Sequence, residues 1–133
     1  MIVPHAEAIV IDANVAIDLA SREVLGELAP GLAAPPLLMI ETRSVLHRLG
    51  RRNDAMELMR MLQHRIEIAG IRILEHPNHA VLVWTLADEL DWDETYDAEY
   101  LASARAHGFA LATYDRRLAR AAGKVDVRLA ELP

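Results

Sequence analysis

The sequence contains no cysteine and only one phenylalanine, and aromatic residues make up just 5% of it. The absence of cysteine excludes a disulfide framework and thiolate metal sites, and it agrees with a reducing cytoplasm. No segment reaches the roughly 18 uncharged apolar residues of a membrane span, because prolines interrupt the longest candidate, residues 28–40. The amino terminus also lacks the basic patch and apolar run of a secretory signal. We therefore expect a soluble, cytoplasmic protein with no membrane partner.

Lysine is almost absent as well, since all but one of the 14 basic residues are arginine, and 20 acids give a net charge of -6. A negative charge argues against a nucleic-acid partner. The arginines are clustered, however, and a guanidinium group suits phosphate oxygens. The clusters are Arg43, Arg48, Arg51 and Arg52, and then Arg116, Arg117 and Arg120. They fit either contacts with RNA or ordinary solvated helix faces.

The chain has 133 residues, 53% of them apolar, which is enough for one core, so we expect one domain over residues 1–133. Short apolar runs predict strands at 8–12, 32–34, 70–74, 109–113 and 125–129. Amphipathic segments predict helices at 15–20, 22–28, 37–49, 53–66, 78–90, 97–107 and 116–122. This alternation indicates an α/β fold with a mainly parallel sheet that helices cover on both sides.

Some details of these helices are also predicted. Asn14, Ser21 and Asn53 are placed to cap helices, and Gly50, Gly108 and Gly123 to end them. One face of the helix 53–66 is predicted to carry Met56, Met59, Leu62 and Ile66, and the apolar side of the helix 78–90 to carry Val81, Trp84, Leu86 and Leu90.

Two acids lie at or just beyond the carboxyl ends of predicted strands. Asp12 closes the first strand, and Asp115 lies two residues beyond Thr113, the end of a later strand. In a parallel sheet both acids belong at the rim where the carboxyl ends of the strands gather functional groups. Each acid also fits a structural role, because an aspartate is a common helix N-cap, although Asn14 is equally well placed to cap the first helix.

Two further acids lie within predicted helices. Glu41 shares a face with Leu37, Leu38 and Val45, and no basic residue of its helix can pair with it. A buried carboxylate is costly, so either a distant arginine or a bound cation must compensate Glu41. Asp97 lies in an early helical turn, where interaction with the helix amino terminus is an alternative explanation.

Together these four acids match the oxygen ligands that Mg²⁺ and Mn²⁺ prefer. A helix N-cap explains one acid well, but it does not explain four acids from distant parts of the chain. Divalent ions held by carboxylates support phosphodiester hydrolysis by activating water and by stabilising the charge that develops on phosphate. The sequence therefore predicts a hydrolytic metal site formed by Asp12, Glu41, Asp97 and Asp115.

Three segments, IVIDANV, PPLLMIETRSVLHRL and YDAEYLASARAHGFALATYDRRL, resemble the PIN-domain toxins of the VapC type over about Ala8 to Leu129. The resemblance implies a three-layer α/β/α fold and an acidic quartet, Asp12, Glu41, Asp97 and Asp115, around Mg²⁺ or Mn²⁺. It implies supporting roles for Asn14 and Thr113. It further implies an endoribonuclease that is usually a homodimer and that a cognate antitoxin holds inactive. The amino-terminal segment, residues 1–7, is somewhat longer than the corresponding segment of many such proteins.

Other interpretations fit less well. An aspartate-nucleophile phosphatase requires a second aspartate where this chain has Asn14, and a receiver domain requires a lysine that Lys124 cannot supply. His76 and His79 flank a proline without a third metal ligand nearby. A PIN-like module that binds RNA or protein without cutting remains the non-enzymatic alternative.

Aromatic residues beside the fourth acid also allow two interpretations. Trp92, Tyr96 and Tyr100 fit either stacking on RNA bases or packing in the core or at an interface, and their helical spacing favours packing.

Overall fold

The computed structural model of the chain describes residues 7–50, 53–67 and 70–133. Its strands are β1 (Ile9–Ile11), β2 (Leu32–Ala34), β3 (Arg72–Ile73) and β4 (Ala110–Ala112). Its helices are α1 (Ala13–Ser21), α2 (Leu25–Leu28), α3 (Leu37–Leu49), α4 (Asn53–Glu67), α5 (His79–Glu89), α6 (Tyr96–His107) and α7 (Arg116–Lys124). The predicted order of strands and helices is confirmed in this part of the chain up to α7, but the strand predicted at 125–129 is not formed.

The four strands form one parallel sheet in the order β3-β2-β1-β4. Val10 and Ile11 of β1 and the alanines of β2 are fully buried, as expected for strands that are covered on both faces. Helices α1, α3 and α4 pack together, whereas α5 packs on α6 and α6 contacts β1 and β4. The fold is a three-layer α/β/α arrangement, as the sequence predicted.

The register of the sheet places two of the predicted acids on neighbouring strands. Ile11 at the end of β1 pairs with Ala112 at the end of β4, so the next residues, Asp12 and Thr113, lie side by side. Parallel strands end at a common edge, and Asp115 follows at the same rim. The sheet therefore positions the first and last acids of the predicted quartet.

Three predicted helix boundaries are wrong. Asp12 caps α1 by accepting a hydrogen bond from the Val15 backbone N–H, so Asn14 lies inside the helix. Ser21 is the last residue of α1, where its hydroxyl donates to the Ile17 carbonyl, and the residue at the N-cap of α2 is Val24. Helix α2 begins only at Leu25, since Glu23 takes a left-handed φ of 61° where α1 ends.

The carboxyl end of the chain also differs from the prediction. Gly123 lies within α7, and the left-handed position that ends this helix belongs to Asp126, with a φ of 60°. The Val127 N–H donates to the Ala122 carbonyl. This hydrogen bond holds the first residues of the predicted strand 125–129 in the turn that ends α7. Only a single bridge, between Leu111 and Leu129, remains of the predicted last strand.

The predicted apolar face of α5 is buried only in part, because Leu86 is buried and Leu90 packs partly against the core, but its other two residues are exposed. Val81 and Trp84 are 67% and 68% exposed, whereas the helix buries Val83, Leu86 and Ala87. In α4, Leu62 and Ile66 are buried as predicted, but Met56 is exposed. No helix of the described ranges is both long and apolar enough to cross a membrane.

Candidate active site

Asp12, Thr113 and Asp115 are joined by hydrogen bonds at the rim of the sheet. Asp12 Oδ2 accepts from the Thr113 hydroxyl, while its Oδ1 accepts from the Val15 N–H at 3.0 Å. The Thr113 hydroxyl oxygen in turn accepts from the Asp115 N–H at 3.1 Å. Thr113 thus connects the loops that carry the two acids and fixes the orientation of the Asp12 carboxylate.

Asp115 caps α7, as its position at a helix start allowed. Its Oδ1 accepts from the N–H groups of Arg117 and Leu118, at 2.8 and 3.2 Å. Asp12 and Asp115 are therefore both helix caps that also lie at the carboxyl ends of neighbouring strands. Because the capping bonds hold each side chain in one orientation, the structural role and a role at the rim are compatible.

Glu41 contacts a residue that the sequence interpretation assigned only to packing or stacking. The Tyr100 hydroxyl, from α6, donates to Glu41 Oε1 at 2.7 Å. Tyr100 is fully buried, and burial beside Glu41 raises the pKa of its phenol, so the hydroxyl remains a donor at neutral pH. Glu41 was expected to need a distant arginine or a cation. Among the described residues its hydrogen-bond partner is instead a neutral hydroxyl, which leaves the charge uncompensated.

Asp97 lies in the first turn of α6, where the helix dipole favours a negative charge. Its Oδ2 lies 3.7 Å from a guanidinium nitrogen of Arg117 on α7. Tyr100 follows one turn later on the same helix. Helix α6 therefore carries both Asp97 and the tyrosine that contacts Glu41, which brings the two helical acids of the quartet to one place.

The pKa values of three quartet acids show that the carboxylates are close enough to repel one another. Burial is the largest cause that raises the pKa of Asp12, Glu41 and Asp97. Repulsion adds to it, from Asp115 at Asp12, from Asp97 and Asp12 at Glu41, and from Asp115 and Asp12 at Asp97. The four acids thus share one electrostatic environment.

Local hydrogen bonds and one ion pair oppose these shifts without cancelling them. The Thr113 hydroxyl lowers the pKa of Asp12, the Tyr100 hydroxyl lowers that of Glu41, and Arg117 lowers that of Asp97. The pKa of all three acids nevertheless stays above its ordinary value. At neutral pH the ionised cluster therefore destabilises the fold.

An open cleft of about 520 Å³ adjoins Glu41 and Asp97. The segment between α5 and α6 forms one wall: Asp91 takes a left-handed φ of 56° at the end of α5, and the Trp92 N–H donates to the Ala87 carbonyl at 2.9 Å. This turn is a Schellman motif, which fixes the chain after a helix. It places the Trp92 ring 4.5 Å from the Arg117 guanidinium carbon, a distance typical of a cation–π contact.

Other predicted groups lie outside this cluster. Asn14 is exposed and makes no hydrogen bond with a quartet acid among the described residues. His76 accepts from the Asn78 N–H, and His79 pairs with Glu99 at 2.7 Å, so the two histidines have separate structural partners.

The arginines of the two predicted clusters and the aromatic residues differ in exposure and in their position relative to the cleft. Arg43, Arg48, Arg116 and Arg120 are exposed, and Arg51 and Arg52 lie outside the described residues. Tyr96 is exposed at the cleft, whereas Trp92 packs partly against the core.

The donor chemistry of the quartet fits a hard divalent ion. Oε2 of Glu41, Oδ1 of Asp97 and Oδ2 of Asp115 have no hydrogen-bond partner within the described ranges. In the present side-chain conformation, no three acidic or histidine groups of these ranges form a ready set of ligands for one ion. The residues therefore supply oxygens of suitable chemistry, but in this arrangement no three of the described acids surround one point.

Comparison with known proteins identifies the fold. The family model described as PIN domain matches residues 9–124. A search of curated proteins gives no significant match. The crystal structure of PAE2754 from Pyrobaculum aerophilum is similar with a TM-score of 0.70 and 26% identity, covering 86% of each chain.

Two more distant structures share the fold. FitAB bound to an IR36 DNA fragment has a TM-score of 0.64 and 18% identity over 94% of this chain and 97% of the other. FitAcB from Neisseria gonorrhoeae has a TM-score of 0.58 and 18% identity over 92% of this chain and 96% of the other.

Proposed function

The chain belongs to the PIN domain family, and from this we propose that it is a divalent-metal-dependent endoribonuclease that acts as a single domain. The proposed catalytic residues are Asp12, Glu41, Asp97 and Asp115. Membership of this family supports nuclease activity in general. The metal requirement, the RNA substrate and the assignment of residues are our proposal.

One observation carries it. Burial and repulsion between carboxylates raise the pKa of Asp12, Glu41 and Asp97, which come from distant parts of the sequence, and Asp115 contributes to the repulsion at Asp12 and Asp97. Such a cluster reduces stability at neutral pH, and Arg117 is the only described cation paired with any of the four. A bound divalent cation would offset this loss of stability, and the carboxylate oxygens are the ligands that such a cation prefers.

Glu41, Asp97 and Asp115 would hold Mg²⁺ or Mn²⁺ through the carboxylate oxygens that have no hydrogen-bond partner among the described residues, and Asp12 would do so through an oxygen that also accepts a hydrogen bond. When bound, the ion would make a water molecule a better nucleophile at neutral pH and offset the negative charge that develops on the phosphate. The protein's own residues supply the positioning. Thr113 and the Val15 N–H orient Asp12, the Tyr100 hydroxyl orients Glu41, and the first N–H groups of α7 orient Asp115. These contacts resemble those that fix metal ligands in other sites.

We further propose that the protein is the toxin of a toxin–antitoxin pair, inhibited by a cognate antitoxin protein and active as a cytoplasmic homodimer. The support is the resemblance of three segments to VapC-type toxins and the shared fold with FitAB and FitAcB. Asn14, which follows Asp12 by two residues, is proposed as a supporting residue at the same rim. Its exposure leaves it accessible to RNA or to water.

Cleavage of labelled, structured RNA by the purified protein tests the nuclease proposal. We expect internal cuts with Mn²⁺ or Mg²⁺, none with EDTA, and none with Asp97→Asn. Asp93→Asn is the matched control, because Asp93 is an exposed acid that lines the same cleft without belonging to the quartet.

Unchanged cutting in EDTA by protein free of contaminating nuclease would refute the metal mechanism. If the folded parent binds RNA but never cuts it in the presence of either metal, the chain is the non-catalytic binding module instead.

Expression in cells tests the toxin role separately. We expect growth to stop on induction of the parent, to continue with Asp97→Asn, and to recover when the small protein encoded beside the toxin is co-expressed. Sequencing the 5′ ends of RNA fragments after induction would identify the substrate. Normal growth of the native host with an active, folded enzyme would contradict the toxin role and leave the nuclease proposal standing.

A further inference from the structure

The cleft beside the quartet is strongly acidic, although the proposed substrate is a polyanion. Its described lining contains five carboxylates and a single basic side chain, that of Arg117. The acids are Glu41, Asp91, Asp93, Glu94 and Asp97. Every charged side chain of the described lining repels an approaching RNA phosphate, except that of Arg117. The position of this one guanidinium group therefore matters for any substrate that reaches the cleft.

Arg117 has one charged partner and one uncharged partner. Its guanidinium nitrogen lies 3.7 Å from Asp97 Oδ2, beyond ordinary hydrogen-bond length, and its side chain is 58% exposed. The Trp92 ring supports the guanidinium group independently, at 4.5 Å from its carbon atom. Because the contact with Trp92 does not involve Asp97, Arg117 can exchange its carboxylate partner for a phosphate while its guanidinium carbon stays over the Trp92 ring.

We propose that Arg117 is a substrate-positioning residue that binds a backbone phosphate of RNA once the divalent ion has taken over Asp97. This inference rests on the proposed function. In the metal-free protein, Arg117 is paired with Asp97 and partly offsets the negative charge of the four acids. With the ion bound, Asp97 would be one of the residues that hold it, and Arg117 would direct its donors to the phosphate while Trp92 keeps the guanidinium group beside the cleft.

The proposal predicts opposite effects of one substitution on two ligands. Removing the guanidinium group in Arg117→Met removes both a competitor for Asp97 and a positive charge near the ion, so Mn²⁺ should bind more tightly. The same change removes the phosphate contact, so RNA should bind more weakly. If Arg117 only held Asp97 in place for the fold, its loss would weaken the binding of Mn²⁺ and RNA together.

The test measures Mn²⁺ affinity by calorimetry, with the metal alone, and the KM and kcat of cleavage of a fluorophore-labelled RNA hairpin. For Arg117→Met we expect the Kd for Mn²⁺ to fall about two- to fivefold, in line with loss of an exposed ion pair. We expect KM to rise about tenfold, in line with loss of a charged hydrogen bond, and kcat to change less. Arg117→Lys should restore the parent's Mn²⁺ affinity but only part of the KM.

Arg105→Met is the matched control, because it removes the same charge from the far end of α6, about 12 Å along the helix from Asp97. Its ion pair with Glu89 is exposed, so little stability is lost. We expect parent values for both ligands.

If Arg105→Met cleaves RNA, the proposal is overturned when folded Arg117→Met binds Mn²⁺ more weakly than the parent or has an unchanged KM. If neither the parent nor Arg105→Met cleaves RNA in Mn²⁺, the proposed function fails and this inference fails with it.

Discussion

The hydrogen bond between Tyr100 and Glu41 offers a specific test of how the site is built. Tyr100→Phe removes one hydroxyl from a fully buried ring and leaves the packing volume nearly unchanged, so no cavity forms. Glu41 then loses its only hydrogen-bond donor among the described residues. A hydrogen bond to a charged group contributes about 1.5–3 kcal/mol to the free energy of unfolding. For a chain of this size that corresponds to a lowering of Tm by about 5–10 °C in metal-free protein at pH 7.

The cost of Tyr100→Phe should depend on pH. The Tyr100 hydroxyl lowers the pKa of Glu41, so its removal raises that pKa further above its ordinary value. A raised carboxyl pKa means that stability present at low pH is lost as pH rises through the folded-state value. We therefore expect a smaller loss, about 0.5–1.5 kcal/mol, near pH 4, where a protonated Glu41 makes only a neutral hydrogen bond.

Thermal and urea unfolding in EDTA at pH 4 and pH 7 measure this difference. Tyr114→Phe is the matched control, because its hydroxyl also donates to a carboxylate, Asp18, at 2.6 Å, but in an exposed place. Its loss should cost less than about 1 kcal/mol. Equal losses in the two variants, or a Tyr100→Phe loss that does not change with pH, would refute the role given to this hydrogen bond.

Three further predictions concern the same cluster. Asp12→Asn keeps an acceptor for the Val15 N–H but removes a buried charge, so Tm of the metal-free protein should rise while RNA cleavage is abolished; a large fall in Tm would identify Asp12 as a structural cap only. A triple variant (Asp12→Asn, Glu41→Gln, Asp97→Asn) removes the three carboxyl groups whose pKa is raised, so in EDTA the parent's free energy of unfolding should decrease relative to that of the variant as pH rises from about 4. Urea titrations at several pH values measure this difference, and a difference that does not change with pH would contradict the prediction. Thr113→Val removes the hydroxyl that orients Asp12, so activity should fall about 10- to 100-fold while Tm changes by only a few degrees, and full activity in the folded variant would exclude a positioning role.

The sheet and its acidic rim were predictable because local patterns specify them. Short apolar, β-branched runs followed by an acid predicted β1 and Asp12, and the sequence around Gly108 predicted both the end of α6 and the start of β4. Gly108 has a left-handed φ of 70°, which glycine adopts at little cost. Such signals depend on a few neighbouring residues, so they can be interpreted without knowledge of the fold.

The partners of the acids were less predictable, because they depend on tertiary packing. Tyr100 lies one helical turn beyond Asp97, but its partner Glu41 is 59 residues away. The sequence likewise could not show that Arg117 pairs with Asp97 from another helix. Each contact depends on the position of α6 relative to α3 and α7 in the folded chain, which local sequence spacing does not show.

The error in α5 has a different physical cause. This helix is apolar around most of its surface, so Val81 and Trp84 form one helical stripe and Val83, Leu86 and Leu90 form another, and the predicted face combined residues of both. Only its packing on α6 decides which stripe is buried. The misplaced cap of α1 is a smaller ambiguity of the same kind, since Asp12 and Asn14 are both good capping residues.

Direct titration of the metal-free protein with Mn²⁺ tests the central claim, that the quartet is a divalent-metal site. Calorimetry should show saturable binding to the parent, affinity weakened at least about tenfold in Asp12→Asn and Asp97→Asn, and affinity within about twofold of the parent in Asp93→Asn. The absence of binding to the folded parent, or the same affinity in all four proteins, would contradict the claim.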